Sequence, residues 1–529
     1  MTHLLITYLK KRAKVTNFIS LRNMKRLFFF LITTLATCGV YAQSMGDTFE
    51  QFKAQQNSKF NQFKQDKQAE FDAFRKRVNE DYARMMEQAW QSVKTQPAEP
   101  EPVVPKVEPV VCPDPEPAPQ PIPTPTPQPK PAPKPLEIPV QKEPIVIPAP
   151  TPAPEPIAPV VVPEEEPVKK ETVLFYGTNI SLQYPESDGF KLAGMKEKQL
   201  AKAWTQLSDT KYDVLVSSAL AARKQYNLCD WGYIEFLQKA LEKHYGMTNE
   251  AVFVQSFLLT QSGYRVRLAK DETKLYLLVA SNYNLFNHFS TKIDGKKFFI
   301  ANGNPKNIQV CPSLYEKEKT VSLQIASTPK LAQKKLDQRH LSSKMGMTAD
   351  VAVNKNMIDF YNNYPRSFVN DDVTTTWATY ANTPLEKNTK DQLYPAIKKS
   401  IEGLSERDAV NKILNWVQTA FVYEYDDKVW GGDRAFFATE TLYYPYCDCE
   451  DRSILFSRLI RDIIGNEVVL LYYPGHLATA VQFKNDVKGD YLTFNNKKYV
   501  VCDPTFIGAG VGRTMPGMNN QTAKVIVLE

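Results

Sequence analysis

Between Pro97 and Pro167 the chain carries most of its 38 prolines. Proline fixes φ and removes the backbone donor, so such a stretch builds neither a helix nor a central strand. Runs such as Pro119-Gln120-Pro121 and Pro131-Ala132-Pro133 admit only extended backbone. Residues 97–168 therefore read as a disordered, polyproline-type spacer without a core. Fully extended, it would hold its ends on the order of 200 Å apart. The spacer divides the rest of the 529 residues. A polar segment precedes it, and about 360 residues follow, enough for two domains, 169–384 and 385–529.

The first 42 residues read as an export signal. Lys25-Arg26 is a basic n-region, Leu27 to Leu35 an apolar stretch, and Val40-Tyr41-Ala42 before Gln43 a small-residue cleavage site. The apolar run is shorter than a spanning helix needs. Cleavage near Ala42 is the leading expectation; an uncleaved anchor and a lipoprotein at Cys38 are the alternatives. Met24 is the natural start of this signal. The expected location is the periplasm or cell envelope. Net charge is +7, and the leader holds Lys10, Lys11, Arg12, Lys14, Arg22, Lys25 and Arg26, so the surplus implies no nucleic-acid partner.

Residues 47–96 read as one long amphipathic or coiled-coil helix. Phe49, Phe52, Phe60, Phe63, Phe71, Phe74, Tyr82, Met85 and Val93 recur at alternating steps of three and eight. That eleven-residue period keeps a narrow stripe on one face and suits straight or right-handed supercoiled helices. A helix this polar gains little alone, so self-association into a homo-oligomer is its expected use. A helix lying on a membrane surface is the rival.

The seven cysteines are too few for a disulfide scaffold. Pairing of Cys229 with Cys311, or of Cys447 with Cys502, stays open. The odd count and the close pair Cys447/Cys449 favour a free reactive thiol.

From Thr172 the composition is that of an α+β protein. Tyr233–Tyr245 and Glu250–Ser262 read as helices, followed by strands at Arg265–Ala269, Lys274–Ala280 and Lys296–Ile300. A loop-rich connection is expected over 312–384. Ser405 caps the next helix, with Asp408 three residues on. A second strong helix covers Glu450–Ile464 and ends at Gly465. Strands follow at Val468–Tyr473, His476–Phe483, Tyr491–Phe494 and Lys498–Val501. The two halves echo each other. Gly263-Tyr264-Arg265-Val266 matches Gly465-Asn466-Glu467-Val468, and Gly295 to Ile300 matches Asn496 to Val501, at offsets of 201 to 202 residues. Asn302 stands near the place of Asp503, and no cysteine stands at the place of Cys449. The expectation is a duplication whose first copy is degenerate.

Cys449, His476 and Asp503 are the candidate catalytic residues. A thiol at a helix N-terminus faces the positive end of the helix dipole and free N–H groups, which favour thiolate and can serve as oxyanion donors. Glu450 and Asp451 oppose this unless they point outward, so an imidazole is needed. Of five histidines, only His476 follows Cys449. Strand alternation puts it on one face with Ala478 and Ala480, whose small size would leave room for thiol and substrate. Asp503, closing a strand before Pro504, is placed to bond the far ring nitrogen. Trp430, beside Gly431 and Gly432, is the candidate substrate-facing residue. Sequence alone shows no metal-ligand cluster, no phosphate-cradling glycine loop and no cofactor site.

Cys449-Glu450-Asp451-Arg452-Ser453 with Leu455-Phe456, Gly475-His476 with Ala478, Ala480 and Val481, and Cys502-Asp503-Pro504-Thr505 occur in that order. This set resembles the transglutaminase-like superfamily of cysteine enzymes, and more loosely uncharacterised exported proteins of Bacteroidetes type. The resemblance spans about residues 404 to 506. It implies a papain-like core, a cysteine helix packed on an antiparallel sheet. It also implies Cys449 as nucleophile, His476 as base and Asp503 as third member. Leu477 departs from the alanine-tryptophan that many members carry after the histidine, and Cys447 beside the nucleophile is a second departure. The expected activity is attack on an amide of a protein or peptide through an acyl-enzyme, with hydrolysis favoured over cross-linking. The alternative is an inactive structural or binding protein of the envelope.

Overall fold

Two antiparallel sheets of matching strand order carry the fold. The computed structural model describes residues 42–101, 135–140, 144–150, 152–157, 160, 167–312, 315, 317–334 and 337–529. Over these residues the protein is mixed α+β. The signal features of residues 25–41, together with Cys38 and Cys112, lie outside them. No helix among the described residues is long and apolar enough to cross a membrane.

The chain opens with α1 (Ala42–Met86), β1 (Gln91–Lys94), β2 (Glu137–Ile138), β3 (Ile145–Val146) and the hairpin β4 (Val168–Phe175) and β5 (Thr178–Pro185). Helices α2 (Glu197–Leu207), α3 (Asp213–Gln225), α4 (Asp230–Tyr245) and α5 (Asn249–Gln261) follow. Next come β6 (Val266–Lys270), β7 (Leu275–Ala280), β8 (Ser290–Ile293), β9 (Lys296–Ile300) and β10 (Asn307–Val310). The C-terminal part holds α6 (Glu406–Thr419), α7 (Cys449–Leu459), β11 (Val468–Tyr473), β12 (His476–Gln482), β13 (Tyr491–Phe494), β14 (Lys497–Cys502) and β15 (Lys524–Val527).

The chain divides after Phe74 into two units. The described part of the first is helical. The last turns of α1, from Arg75 on, belong to the second. There Tyr82 stacks on Trp204 with ring centroids 4.1 Å apart. Asn79 Oδ1 accepts from Trp204 Nε1 and Gln261 Nε2, and Arg75 pairs with Asp213 at 2.5 Å. The aromatic stripe expected for self-association is thus partly used within the chain. Tyr82 is buried in its own core, and Met85 packs against the same cluster. The helix also stops at Met86 rather than reaching residue 96. Trp90 folds back so that its Nε1 donates to Met86 O at 3.0 Å, and Val93 lies in β1.

The first sheet runs β1-β10-β6-β7-β9-β8, and the second β2-β13-β14-β12-β11-β15-β3. Without the outer additions they read β10-β6-β7-β9-β8 and β15-β11-β12-β14-β13, the same connectivity with every pair antiparallel. Equivalent strands start 202 residues apart for Val266 and Val468. They start 201 apart for Leu275 and His476, Ser290 and Tyr491, and Lys296 and Lys497. Each sheet has a helix ahead of its first strand, α5 and α7, followed by a left-handed glycine, Gly263 (φ 88°) after α5 and Gly465 (φ 83°) after the π-helical turn Ile460–Ile464 that continues α7. The echo read in the sequence is therefore a repeat of topology.

The proline-rich segment is not a spacer throughout. β2 pairs in parallel with β13 at one edge of the second sheet, and β3 with β15 at the other. Ile138 is buried and Val140 packs beside it, on the sheet face formed by Val469, Leu471, Ala478, Ala480, Tyr499 and Val501. Farther on, Ile157 N–H donates to Gln261 O at 3.0 Å, and a Cβ on Gly263 would meet Glu155 O at 2.1 Å. The isoleucines between the prolines explain the difference: they bury apolar area, and both sheet edges offer unpaired backbone groups.

The connection expected to be loop-rich holds a hairpin, Arg339–Ser342 with Thr348–Val351, and helices Lys355–Asn363 and Thr375–Asn382. One cluster of buried apolar residues runs from Phe175 and Trp204 through Phe360 and Trp416 to Ile454. Cys229, Cys311, Cys447, Cys449 and Cys502 are all free thiols, so neither disulfide considered above forms.

Candidate active site

α7 begins at Cys449, one residue ahead of the start expected from the sequence. Asp451 Oδ2 accepts from Asp448 N–H at 3.2 Å, and its Oδ1 from Phe436 N–H at 2.8 Å. Asp451 and Glu450 are both buried rather than turned to solvent. Arg452, fully buried, donates to Gln418 O (3.0 Å) and Phe421 O (2.9 Å) at the end of α6, and its Nε lies 3.5 Å from Cys447 Sγ. A buried guanidinium thereby locks the first turn of α7 to α6 and balances part of the acidic charge around it.

His476 opens β12. Thr479 pairs with Cys502, so Asp503 falls opposite Ala478 and diagonal to His476 on the same sheet face. His476 Nε2 lies 2.8 Å from Asp503 Oδ2. Asp503 Oδ1 accepts from Thr505 N–H (2.8 Å) and Phe506 N–H (3.2 Å), which holds the carboxylate in plane for the imidazole. His476 Nδ1 is buried and makes no hydrogen bond.

Cys449, His476 and Asp503 are 3%, 1% and 2% exposed, so the site is closed to solvent. The structure brings His476 and Asp503 into contact. The thiol of Cys449 bonds Glu450 Oε2 at 3.1 Å. The space expected beside Ala478 and Ala480 is filled. Both are buried under Ile138 and Val140, while Cys449 belongs to the cluster that includes Leu477. Ser453 Oγ, one turn after Cys449, donates to Leu477 O at 2.7 Å and ties α7 to β12 beside His476.

Three other thiols are held in the neutral form by burial. Burial pushes Cys447 up, against the pull of Arg452. Burial pushes Cys229 to about 11 and Cys502 higher still. The Tyr423 phenol, raised by burial and by its neighbours Cys449, Asp448 and Glu450, has a hydroxyl without a hydrogen-bond partner. Trp430 is not on a free loop. It is half-buried, edge-on to Tyr444 (4.7 Å) and Phe436 (5.9 Å), with the Arg434 guanidinium 5.3 to 6.0 Å from all three rings. Glu440, the partner of Arg434 at 2.5 Å, is pushed up to about 7 by burial.

No family model matches the chain, and no curated protein and no solved structure matches it.

The fold gathers acids that the sequence keeps apart. Asp426, Asp448 and Asp451 form one group whose ligand atoms lie within 4.8 Å of one another. Asp426, Asp433 and Glu450 form a second, and Asp448, Cys449 and Glu450 a third. Each has the donor atoms to hold a cation. Sequence reading missed them because Asp426, which opens the short helix Asp426–Val429, and Asp433 after it lie some twenty residues before α7, with no motif spacing to link them.

In the first copy the equivalent positions hold Asn249 at the head of α5, Leu275 at the start of β7, and Asn302 after β9. Leu275 N–H donates to Asn249 Oδ1 (2.8 Å), Leu277 N–H to Asn302 Oδ1 (2.7 Å), and Asn302 Nδ2 to Leu275 O (3.1 Å). Amide side chains there bond backbone and leave no nucleophile or base.

Proposed function

We propose that this protein is an exported cysteine enzyme of the transglutaminase-like type, with a papain-like core, that hydrolyses amide bonds in a protein or peptide. The observation that supports this best is the His476 imidazole, held through Nε2 by Asp503 and open at Nδ1. In the tautomer whose Nε2–H donates to the carboxylate, Nδ1 is the ring's acceptor. In the proposed reaction the Cys449 thiol gives its proton to Nδ1 of His476. The thiolate attacks the amide carbon, and His476 returns the proton to the leaving amine. Water, deprotonated by the same nitrogen, then cleaves the thioester. Burial pushes Cys229, Cys447 and Cys502 up, whereas Cys449 heads a helix, where the dipole favours thiolate. In this reading the first 42 residues are an export signal, the reaction runs in the periplasm or cell envelope, and the α1 stripe before Arg75, where Phe63 is half exposed, serves self-association. Incubation with glutamine-containing peptides, with and without a primary amine, tests the reaction. Ammonia released without the amine, or cleaved peptide, supports hydrolysis; ammonia released together with an amine adduct supports transamidation; and no turnover with either sinks the proposal.

A second reading is an inactive structural or binding protein of the envelope. It is favoured by the thiol's bond to Glu450, by the closure of all three residues from solvent, and by a first copy that already lacks the set. Under that reading Cys449 alkylates no faster than Cys447.

A further inference from the structure

The loop that follows Asp503 wraps around one buried amide. Gln418, on the last turn of α6 and 1% exposed, donates through Nε2 to Asp503 O (2.9 Å), Phe506 O (2.9 Å) and Ala509 O (3.0 Å). Its Oε1 accepts from Gly508 N–H at 3.2 Å. The backbone of the same residue faces the other way, with Gln418 O receiving Arg452 Nη1 from the first turn of α7. One residue therefore touches both parts of the site, the helix headed by Cys449 and the loop headed by Asp503. Neither contact depends on the other, because one is made by the side chain and the other by the main chain.

We infer that Gln418 is a positioning residue, which sets the Asp503 carboxylate against His476 while its backbone holds the Cys449 helix in register. This rests on the proposed role of the Cys–His–Asp set. The physical argument is one of donors. Three carbonyls converge within hydrogen-bond reach of a single buried NH2 group, and Phe506 O also accepts from Ala509 N–H at 3.0 Å. Burying three carbonyls without that donor is costly, so removing the amide forces the turn to open toward solvent. Asp503 Oδ1 then loses the Thr505 and Phe506 N–H groups that fix its plane, and His476 loses its orienting partner. The Gln418 side chain acts on the chemistry through the loop of Asp503, and its backbone oxygen acts on the Cys449 helix through Arg452. Sequence reading passed it over because it lies inside a regular amphipathic helix, where a glutamine reads as a solvent-facing position.

The test uses the full chain and two variants of near-equal size, Gln418→Glu, which replaces the NH2 donor by an oxygen, and Gln418→Met, which removes all polar atoms. The readout is the rate of Cys449 alkylation by iodoacetamide across pH, with unfolding midpoints in denaturant measured alongside. Both variants should slow alkylation at neutral pH by about tenfold, the effect of one unit in thiol titration, and move the profile upward in the same direction as Asp503→Asn. Combining either with Asp503→Asn should add nothing further. A folded variant whose profile superimposes on the wild type overturns the inference even if its stability falls. Loss of folding in both variants also overturns it, by assigning Gln418 to structure alone. If wild-type Cys449 reacts no faster than Cys447, the enzymatic reading itself fails and the positioning role falls with it. A normal wild-type profile with unchanged variants removes Gln418 only.

Discussion

Ser453 Oγ donates to Leu477 O at 2.7 Å, and that bond joins the helix of Cys449 to the strand of His476. Cys449 precedes Ser453 by four residues, so the two share one face of α7. Ser453→Ala should leave a buried carbonyl without its donor at a cost of about 1–3 kcal/mol. Denaturant unfolding measures this. Alkylation of Cys449 should slow in the same variant, because the helix loses its register against β12.

Asp503 serves two sets of partners. Its Oδ1 closes the turn through Thr505 and Phe506, and its Oδ2 orients His476. Asp503→Asn keeps an oxygen for the turn but presents an amide to the ring or loses the bond, which selects the wrong tautomer. In a related arrangement this type of change lowers turnover on the order of 10⁴-fold. Here the expected outcome is a folded protein whose Cys449 alkylates as slowly as in His476→Ala. A rate equal to wild type would remove Asp503 from the set.

Ile138 is the anchor of the proline-rich strap on the outer face of the second sheet. Ile138→Ala should cost about 2–5 kcal/mol, the range for truncating a buried aliphatic side chain. A substitution within a plain spacer would cost nothing measurable, so an unchanged unfolding midpoint contradicts the docked strap.

His244 is clasped by carboxylates on both ring nitrogens, Glu171 at 3.0 Å and Asp188 at 2.8 Å. Tyr184 stacks on it at 3.9 Å, Tyr212 and Tyr245 donate to Asp188, and Lys169 pairs with Glu171. Burial lowers the His244 pKa, but the bonds and charges of Asp188 and Glu171 outweigh it and raise it above 6.5. Burial raises Asp188, and its partners, His244 first, bring it down to about 2. Glu171 is likewise lowered from 4.5, with burial opposed by Lys169 and His244. The histidine's contribution is full below 6.5 and fades as pH rises through its raised folded value. The carboxylates' contribution is full above their unfolded values and fades as pH falls toward the lowered ones. The clasp is therefore strongest between 4.5 and 6.5. Unfolding of wild type and His244→Phe should differ most in that window and least at about pH 9. A gap independent of pH contradicts the clasp.

Much of the C-terminal site was legible because it is local. Ser405 and Gly465 mark helix ends, alternation from Val468 onward marks strands, and Asp503 stands where a strand meets proline. The matching strand order of the two sheets was legible because hairpins repeat at a near-constant offset. What escaped the sequence depends on long-range packing. Ile138 and Ile157 hide among prolines, and their burial follows from sheet edges formed hundreds of residues later. Tyr82 belongs to a regular stripe, yet Trp204 claims it for the core. Ala478 suggested open space, and the strap that fills it has no pattern of its own. Asp426 meets Asp448 only through the turn that carries Trp430.

The most direct measurement of the central claim is competitive alkylation of the native protein at neutral pH, with each modified cysteine mapped by mass spectrometry. Cys449 should react first, ahead of Cys229, Cys447 and Cys502, and His476→Ala should abolish its lead. Equal, slow labelling of all cysteines, or a Cys449 rate unchanged in His476→Ala, would contradict the account.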